Sequence, residues 1–312
     1  MKALQQIIQR VEENPSRSWA LATLVQTEGS TYRKPGARLL VDSDGGTLGV
    51  LSGGCLEEEI GRRGRMVIED GSPLLLSFDT KRLYGCDGQL KILVEPIPAA
   101  EGNGNLITEI GGLLRNREVC RVRTCFEGET LGSQLLAPDA LLAERRGILI
   151  DTLPLPVRLL LFGTGPEIEP ITRFAGNLGW GMERFPHPSE LGEDFRPDAQ
   201  TAALVMTHNF GRDLLALDRL LPLQLRYVGL LGPRKRHAEL LDRLSEYRPL
   251  DFNASGLFAP AGLDIGSEAP EEIALAIVSE VAAILSNRRG ASLRERKSDI
   301  HTTIASTSEE AA

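Results

Sequence analysis

The sequence predicts an α/β protein in two parts: a mixed, β-rich α+β domain, then a domain built on a parallel sheet. Three observations carry this. Up to Leu153, short β-prone runs alternate with glycine-rich turns, and Ser43-Asp44-Gly45-Gly46 is hairpin chemistry because glycine adopts positive φ without steric cost. Pro154 and Pro156 then interrupt the chain, and beyond them continuous apolar runs alternate with helical patterns, as in a parallel sheet. The first of those runs, Val157–Phe162, ends in Gly163-Thr164-Gly165, where Rossmann-like sheets turn into their first helix. The expected domains are residues 1–153 and 154–290, followed by a polar, disordered tail at 291–312.

The elements follow in order. Met1–Arg10 is an amphipathic helix with Leu4, Ile7, Ile8 and Val11 on one face. Asn14-Pro15-Ser16 ends it, and Trp19–Gln26 is a strand. A loop over Thr27–Gly36 leads to strands Ala37–Asp42 and Thr47–Leu51, paired through the Asp44-Gly45-Gly46 turn. Ser52-Gly53-Gly54-Cys55 precedes a helix over Leu56–Asp70, whose first turns hold Glu57, Glu58 and Glu59 where the helix dipole favours carboxylates. Strands Pro73–Phe78 and Gln89–Pro96 flank a loop over Thr80–Gly88. A helix at Asn105–Arg115 and strands Val119–Phe126 and Leu131–Leu136 complete the first half. In the second half, a helix with Ile168, Ile171, Phe174, Ala175 and Leu178 at helical spacing follows Val157–Phe162. Then come strand Ala202–Met206, helix Asp213–Leu221, strand Arg226–Leu231 and a basic helix start at Arg234-Lys235-Arg236. The last helix starts at Pro270, a favoured first position, and buries Ile273, Ile277, Val281 and Ile284.

Composition narrows the function. A formal charge of −8 gives no reason to expect nucleic acid or an anionic membrane as partner. No apolar run approaches the ~20 residues that span a bilayer. Gln5, Gln6 and Gln9 interrupt the first helix, so it is no signal-peptide core and a cytoplasmic location is expected. Cys55, Cys86, Cys120 and Cys125 are then expected as thiols or ligands rather than disulfides.

The densest candidate region is Glu28–Glu59. Cys55 precedes a helix, where a thiol pKa falls and the thiolate is exposed; Gly53 and Gly54 allow a ligand close to the backbone. Such a thiolate binds a metal, holds a sulfur or attacks an electrophile; the alternative is a small apolar residue beneath a tight turn. Arg33, Lys34 and Arg38 around Pro35-Gly36 form a clamp for an anion or, read blandly, a solvated loop. Cys86 sits in a second glycine-rich loop, Gly85-Cys86-Asp87-Gly88. Cys120 and Cys125 point to opposite faces of one strand, and no pair has zinc spacing.

In the second half, Gly163 and Gly165 suit phosphate, but Ile168 stands where a dinucleotide site has its third glycine and Pro166 removes an N–H. Phe185-Pro186-His187-Pro188 occupies the region where an acid binds ribose. NAD(P) is therefore not the expected ligand, and an NAD(P)-dependent oxidoreductase is the rival reading. Thr207-His208-Asn209 follows a strand expected beside the first one, at the switch point where open sheets bind ligands. His208 there is a donor or proton shuttle; alternatively the triplet is a turn, with Asn209 suited to cap the next helix.

Together these residues resemble the xanthine dehydrogenase accessory proteins, the XdhC/CoxI family. The resemblance is carried by Glu28-Gly29-Ser30, Tyr32-Arg33-Lys34-Pro35-Gly36-Ala37-Arg38, Ser52-Gly53-Gly54-Cys55-Leu56-Glu57, Phe162-Gly163-Thr164-Gly165-Pro166, Met206-Thr207-His208, Tyr227–Gly232, Pro260-Ala261-Gly262-Leu263-Asp264-Ile265-Gly266 and Pro270–Ala274. It implies a chaperone without turnover of its own. Such a protein holds molybdenum cofactor, as molybdopterin or its dinucleotide form, supports its sulfuration with a cysteine desulfurase, and delivers it to a molybdenum hydroxylase apo-enzyme. Targets of this kind are xanthine dehydrogenase, aldehyde oxidoreductase and CO dehydrogenase. It also implies that Cys55 contacts the metal. A homodimer is expected, with the ligand between the two domains. The sequence departs from the family pattern at Asn209, before His187, and at Pro166-Glu167-Ile168.

Overall fold

The computed structural model describes residues 1–29, 31–54, 56–79, 88–100, 102, 104–140, 145–247 and 256–296. The chain divides into two compact units, Met1–Leu155 and Pro156–Ala312.

The first unit is built on an antiparallel sheet of β1 (Trp19–Gly29), β2 (Arg38–Val41), β3 (Thr47–Gly49), β4 (Leu74–Asp79) and β5 (Gly88–Ile97), in the order β3-β2-β1-β5-β4. The central strand β1 is buried from Trp19 to Val25 because both of its faces are covered. Side chains alternate across a strand. Accordingly Ala20, Ala22 and Leu24 pack with Ile60 and Val67 of α2 (Glu57–Asp70), whereas Trp19 and Leu21 pack on the other side. That side receives Ile7, Ile8 and Val11 of α1 (Lys2–Glu12), and Ile107, Ile110 and Leu114 of α3 (Leu106–Arg115). Asn105 caps α3 by accepting from the Ile107 and Thr108 amides.

A second sheet of this unit orders β6 (Cys120–Cys125), β7 (Gly132–Leu136) and β8 (Ile148–Leu153) as β7-β6-β8. Glu95 of β5 joins the two sheets: the Ser133 amide and hydroxyl donate to it at 2.7 and 2.6 Å. Burial pushes its carboxyl pKa up, against those hydrogen bonds, which pull it down.

Two glycines let α2 sit against the β2–β3 hairpin. A Cβ on Gly61 would lie 2.3 Å from the Gly45 carbonyl oxygen, and one on Gly64 would lie 2.8 Å from the Val41 side chain. Glycine weakens a helix interior by ~1 kcal/mol; here it permits the close packing.

The second unit is a parallel sheet of β9 (Arg158–Phe162), β10 (Gly181–Phe185), β11 (Thr201–Val205), β12 (Val228–Leu230) and β13 (Leu257–Phe258), ordered β10-β9-β11-β12-β13. This is a 2-1-3-4-5 doubly wound, Rossmann-like arrangement. On one face, Leu159, Leu161, Ala202 and Leu204 meet α4 (Ile168–Asn177) and α7 (Pro270–Leu285). On the other, Leu160, Phe162, Ala203 and Val205 meet α5 (Phe210–Leu220) and α6 (Arg234–Tyr247). Glu280 of α7 accepts from the Tyr227 hydroxyl and the Gly262 amide, both at 2.7 Å, fixing the Pro260-Ala261-Gly262 turn against β12.

The α/β class and the antiparallel-then-parallel division agree with the sequence expectation. Strands β8, β10 and β13 were not among the expected elements. In the predicted tail Leu293–Glu295 form a single 3-10 turn, and residues 297–312 lie outside the described residues. Among the described residues no helix is long and apolar enough to cross a membrane.

Candidate functional site

The loop before α2 is organised by a residue that the sequence suggested only as a helix-dipole charge. Glu57 folds its carboxylate back into the turn. Its Oε1 accepts from the Leu51 and Ser52 amides, each at 2.9 Å. Its Oε2 accepts from the Ser52 hydroxyl at 2.7 Å and the Leu56 amide at 3.1 Å. Burial pushes this carboxyl's pKa up, but the Ser52 and Leu51 hydrogen bonds outweigh it and hold the pKa at about 2. The turn is thus wrapped around a fixed negative charge. Gly53 and Gly54 have φ of 81° and 110°, a region closed to most side chains.

The loop before β2 lies alongside. The Tyr32 ring, 66% exposed, is 3.9 Å from where a Cβ on Gly53 would stand, so the two glycine-rich stretches meet in space. Gly54 has open space where its side chain would be. Arg33 and Lys34 are exposed on the same loop.

Arg38 corrects the expected three-cation clamp. Its side chain is buried, and Nη1 donates to Asp151 Oδ2 at 2.8 Å and to the Gly36 carbonyl at 2.9 Å. The charge is neutralised inside the unit, because a buried guanidinium requires a partner. Arg38 therefore holds up the loop that presents Arg33 and Lys34. Cys55 and Cys86 lie outside the described residues. Cys120 is a buried core thiol, its pKa raised by burial, and Cys125 is also free. Among the described residues no group of three or more His, Cys, Asp or Glu could hold a metal.

In the second unit, the carboxyl ends of β9 and β11 form the switch point, because the chain leaves β9 for β10 on one side and returns to β11 on the other. Gly163, with φ of 130°, lies so close to the β11 exit that a Cβ would stand 2.4 Å from the Met206 oxygen. Beneath the following turn, buried Asp213 accepts from the Thr207 amide at 3.2 Å and hydroxyl at 2.5 Å, and pairs with Arg236. Asn209 caps α5 by accepting from the Arg212 amide at 3.0 Å, the bland role its sequence position allowed. His208 between them has φ of 54° and is half exposed. Its Nε2 is 3.5 Å from Oε2 of Glu167, a residue that sequence inspection noted only as an irregular exit from the glycine turn. A Cβ on Gly165 would stand 2.5 Å from that oxygen and 2.7 Å from the His208 nitrogen. Gly163, Gly165 and His208 are thus gathered at one crevice, with Glu167 among them.

Comparison with known proteins bears on both units. Residues 159–281 match the XdhC Rossmann domain, and residues 14–79 match the XdhC and CoxI family. The chain belongs to the XdhC and CoxI family. A relative in Bacillus subtilis (strain 168), named as a probable xanthine dehydrogenase subunit, is 28% identical over 84% of this chain and 91% of its own length. The molybdenum cofactor insertion chaperone PaoD of Escherichia coli (strain K12) is 24% identical over 85% of this chain and 82% of its own. The crystal structure of a Bacillus halodurans protein described as a xanthine dehydrogenase has the same fold, with a TM-score of 0.78 at 24% identity over 93% of this chain and 97% of that one. Within this XdhC/CoxI member, the Tyr32–Gly36 and Ser52–Gly54 loops fall inside the first matched stretch given by the family, and the Gly163/His208 crevice falls inside the Rossmann match.

Proposed function

We propose that this protein binds molybdenum cofactor, supports its sulfuration with a cysteine desulfurase and delivers it to a molybdenum hydroxylase apo-enzyme. One observation carries the reading. Two loops on either side of the β2–β3 hairpin converge in the first unit, one fixed from beneath by Glu57 and the other by the Arg38–Asp151 pair. They present an aromatic ring, two cations and bare glycine backbone. A relative named as a molybdenum cofactor insertion chaperone supports it.

The residues suit that cofactor. A flat pterin bearing a phosphate asks for an aromatic surface, cationic donors and close backbone approach. Tyr32 would offer a surface to the ring, Arg33 and Lys34 would neutralise the phosphate, and Gly53 and Gly54 would leave room. Cys55 follows Gly54 in sequence, and its thiolate is a soft ligand for the metal. When bound, the cofactor supplies the molybdenum centre that the target enzyme uses. Cys86, Gly163, Gly165 and His208 are further proposed contacts. The protein is read as a cytoplasmic, homodimeric chaperone rather than a turnover enzyme. The rival nicotinamide oxidoreductase finds little support, because Pro166 removes a donor and Phe185-Pro186 ends β10 without an acid.

The test is the pterin content of purified full-length protein, together with its power to activate an apo-hydroxylase. Cys55→Ala and Arg33→Ala/Lys34→Ala are expected to lower both about tenfold or more, the scale of one or two charge-assisted contacts. Retention and delivery equal to wild type in both variants would defeat the reading. Saturable micromolar NAD(P)H binding would favour the oxidoreductase.

A further inference from the structure

We propose that Glu167 accepts the two-donor edge of a 2-amino-4-oxopyrimidine ring, the edge shared by pterins and guanine, at the carboxyl end of β9. This deepens the cofactor-handling reading and rests on it.

The starting point is an unmet carboxylate. The Glu167 side chain is 9% exposed, yet among the described residues no group donates a hydrogen bond to it, and buried Oε2 has no partner. A buried polar atom without a partner is costly, and its persistence asks for an explanation. Glu167 stands at the N-cap of α4, where an acidic side chain commonly turns back to accept helix amides. This one makes no such bond and faces His208 instead. The His208 nitrogen, at 3.5 Å, is too distant for a good hydrogen bond and carries charge only when protonated.

The surroundings select the ligand chemistry. Gly165 has no side chain to come between Glu167 and His208. Pro166 removes an amide that a phosphate would use, and a carboxylate repels an anion. The crevice at this point therefore suits a group that donates protons rather than one that accepts them. The exocyclic 2-amino group and the N3–H of a 2-amino-4-oxopyrimidine are parallel donors, and they match the two oxygens of a carboxylate. Entry of the ring requires His208, which is 52% exposed, to turn outward from Oε2. Within the proposed cofactor such an edge occurs on the pterin, and on a guanine when a guanine dinucleotide form is bound.

The experiment compares binding of 6-hydroxymethylpterin, lumazine, guanosine monophosphate and adenosine monophosphate to the full chain. Lumazine carries an oxygen acceptor where pterin carries the 2-amino donor. Wild type is expected to prefer pterin over lumazine by about tenfold or more, as a site built to pair a donor rejects an analogue lacking it. Glu167→Gln, which offers one acceptor and one donor, is expected to reverse the order. Guanosine monophosphate bound more tightly than pterin, with adenosine monophosphate rejected, would assign the site to the nucleotide half; the opposite order would assign it to the pterin.

Equal wild-type affinity for pterin and lumazine with no guanosine preference, or no binding of any probe, overturns the inference. So does a Glu167→Gln variant, folded by circular dichroism, that keeps the wild-type order. Failure here is distinguishable from failure of the chaperone reading. A protein that still co-purifies with molybdopterin while showing none of these preferences loses only the Glu167 assignment, whereas wild-type protein devoid of cofactor loses the chaperone function.

Discussion

Replacing Glu57 by Gln keeps the shape of the side chain and removes its charge. Four groups donate to that carboxylate, the amides of Leu51, Ser52 and Leu56 and the Ser52 hydroxyl, and glutamine can accept from them with only one oxygen while its amide faces donors. The magnitude follows from the pKa. Between an ordinary value of 4.5 and about 2 in the fold, at about 1.36 kcal/mol per pH unit, the interaction is worth roughly 3 kcal/mol, which solvent screening at the outer side of the turn reduces to about 2 kcal/mol. The first unit should then melt about 4–8 °C lower in the variant.

The pH dependence has a definite sign. A carboxyl whose folded pKa is depressed stabilises fully above its unfolded value, and that stability is lost as pH falls from 4.5 towards 2. Roughly half of the proton-linked part should be gone at about pH 3. The assay is thermal or urea unfolding of wild type and Glu57→Gln at about pH 7 and about pH 3. A gap between the two proteins that does not shrink on acidification, or no gap at neutral pH, would refute the view that a charged Glu57 holds the Ser52–Gly54 turn.

Two further outcomes test the scaffold beneath the site. Asp151→Ala strands the buried Arg38 guanidinium and should cost about 3 kcal/mol by urea unfolding, whereas Arg38→Met/Asp151→Leu should cost well under the sum of the single changes; additive losses would contradict a buried ion pair. Gly61→Ala should destabilise by about 1–2 kcal/mol despite alanine's helix preference, because its Cβ meets the Gly45 carbonyl. Gly112→Ala on α3, with nothing within 4 Å of its Cβ, should be neutral or stabilising; a stabilised Gly61→Ala would remove the close-packing argument.

Much of this protein was legible in one dimension because the signals are local. The Asp44-Gly45-Gly46 turn announced the β2–β3 hairpin, and the Val157–Phe162 run with Gly163 announced the parallel sheet. These depend on residues adjacent in the chain, where φ preference and side-chain period act directly. The two-residue strand β13 carries too few residues for a period, β8 runs through polar Asp151 and Thr152 near its end, and the edge strand β10 carries charged Glu183 and Arg184, so none of them stood out.

The roles of charged residues were a different matter. Arg33, Lys34 and Arg38 are equivalent cations in sequence, yet Asp151, 113 positions on from Arg38, takes that one inside and leaves the other two exposed. Glu57 looked like one of three acids favouring a helix dipole, until the turn of the chain brought Leu51 and Ser52 amides to it. Glu167 was an irregular residue after a glycine turn, until β11 carried His208 to its side. The two-part α/β class, the family-bearing motifs and the residue types available for binding are properties of the linear chain. Which charges the fold buries and which it leaves at the surface is a property of the folded molecule, because a charge's role depends on the partners that distant parts of the chain bring within hydrogen-bonding distance.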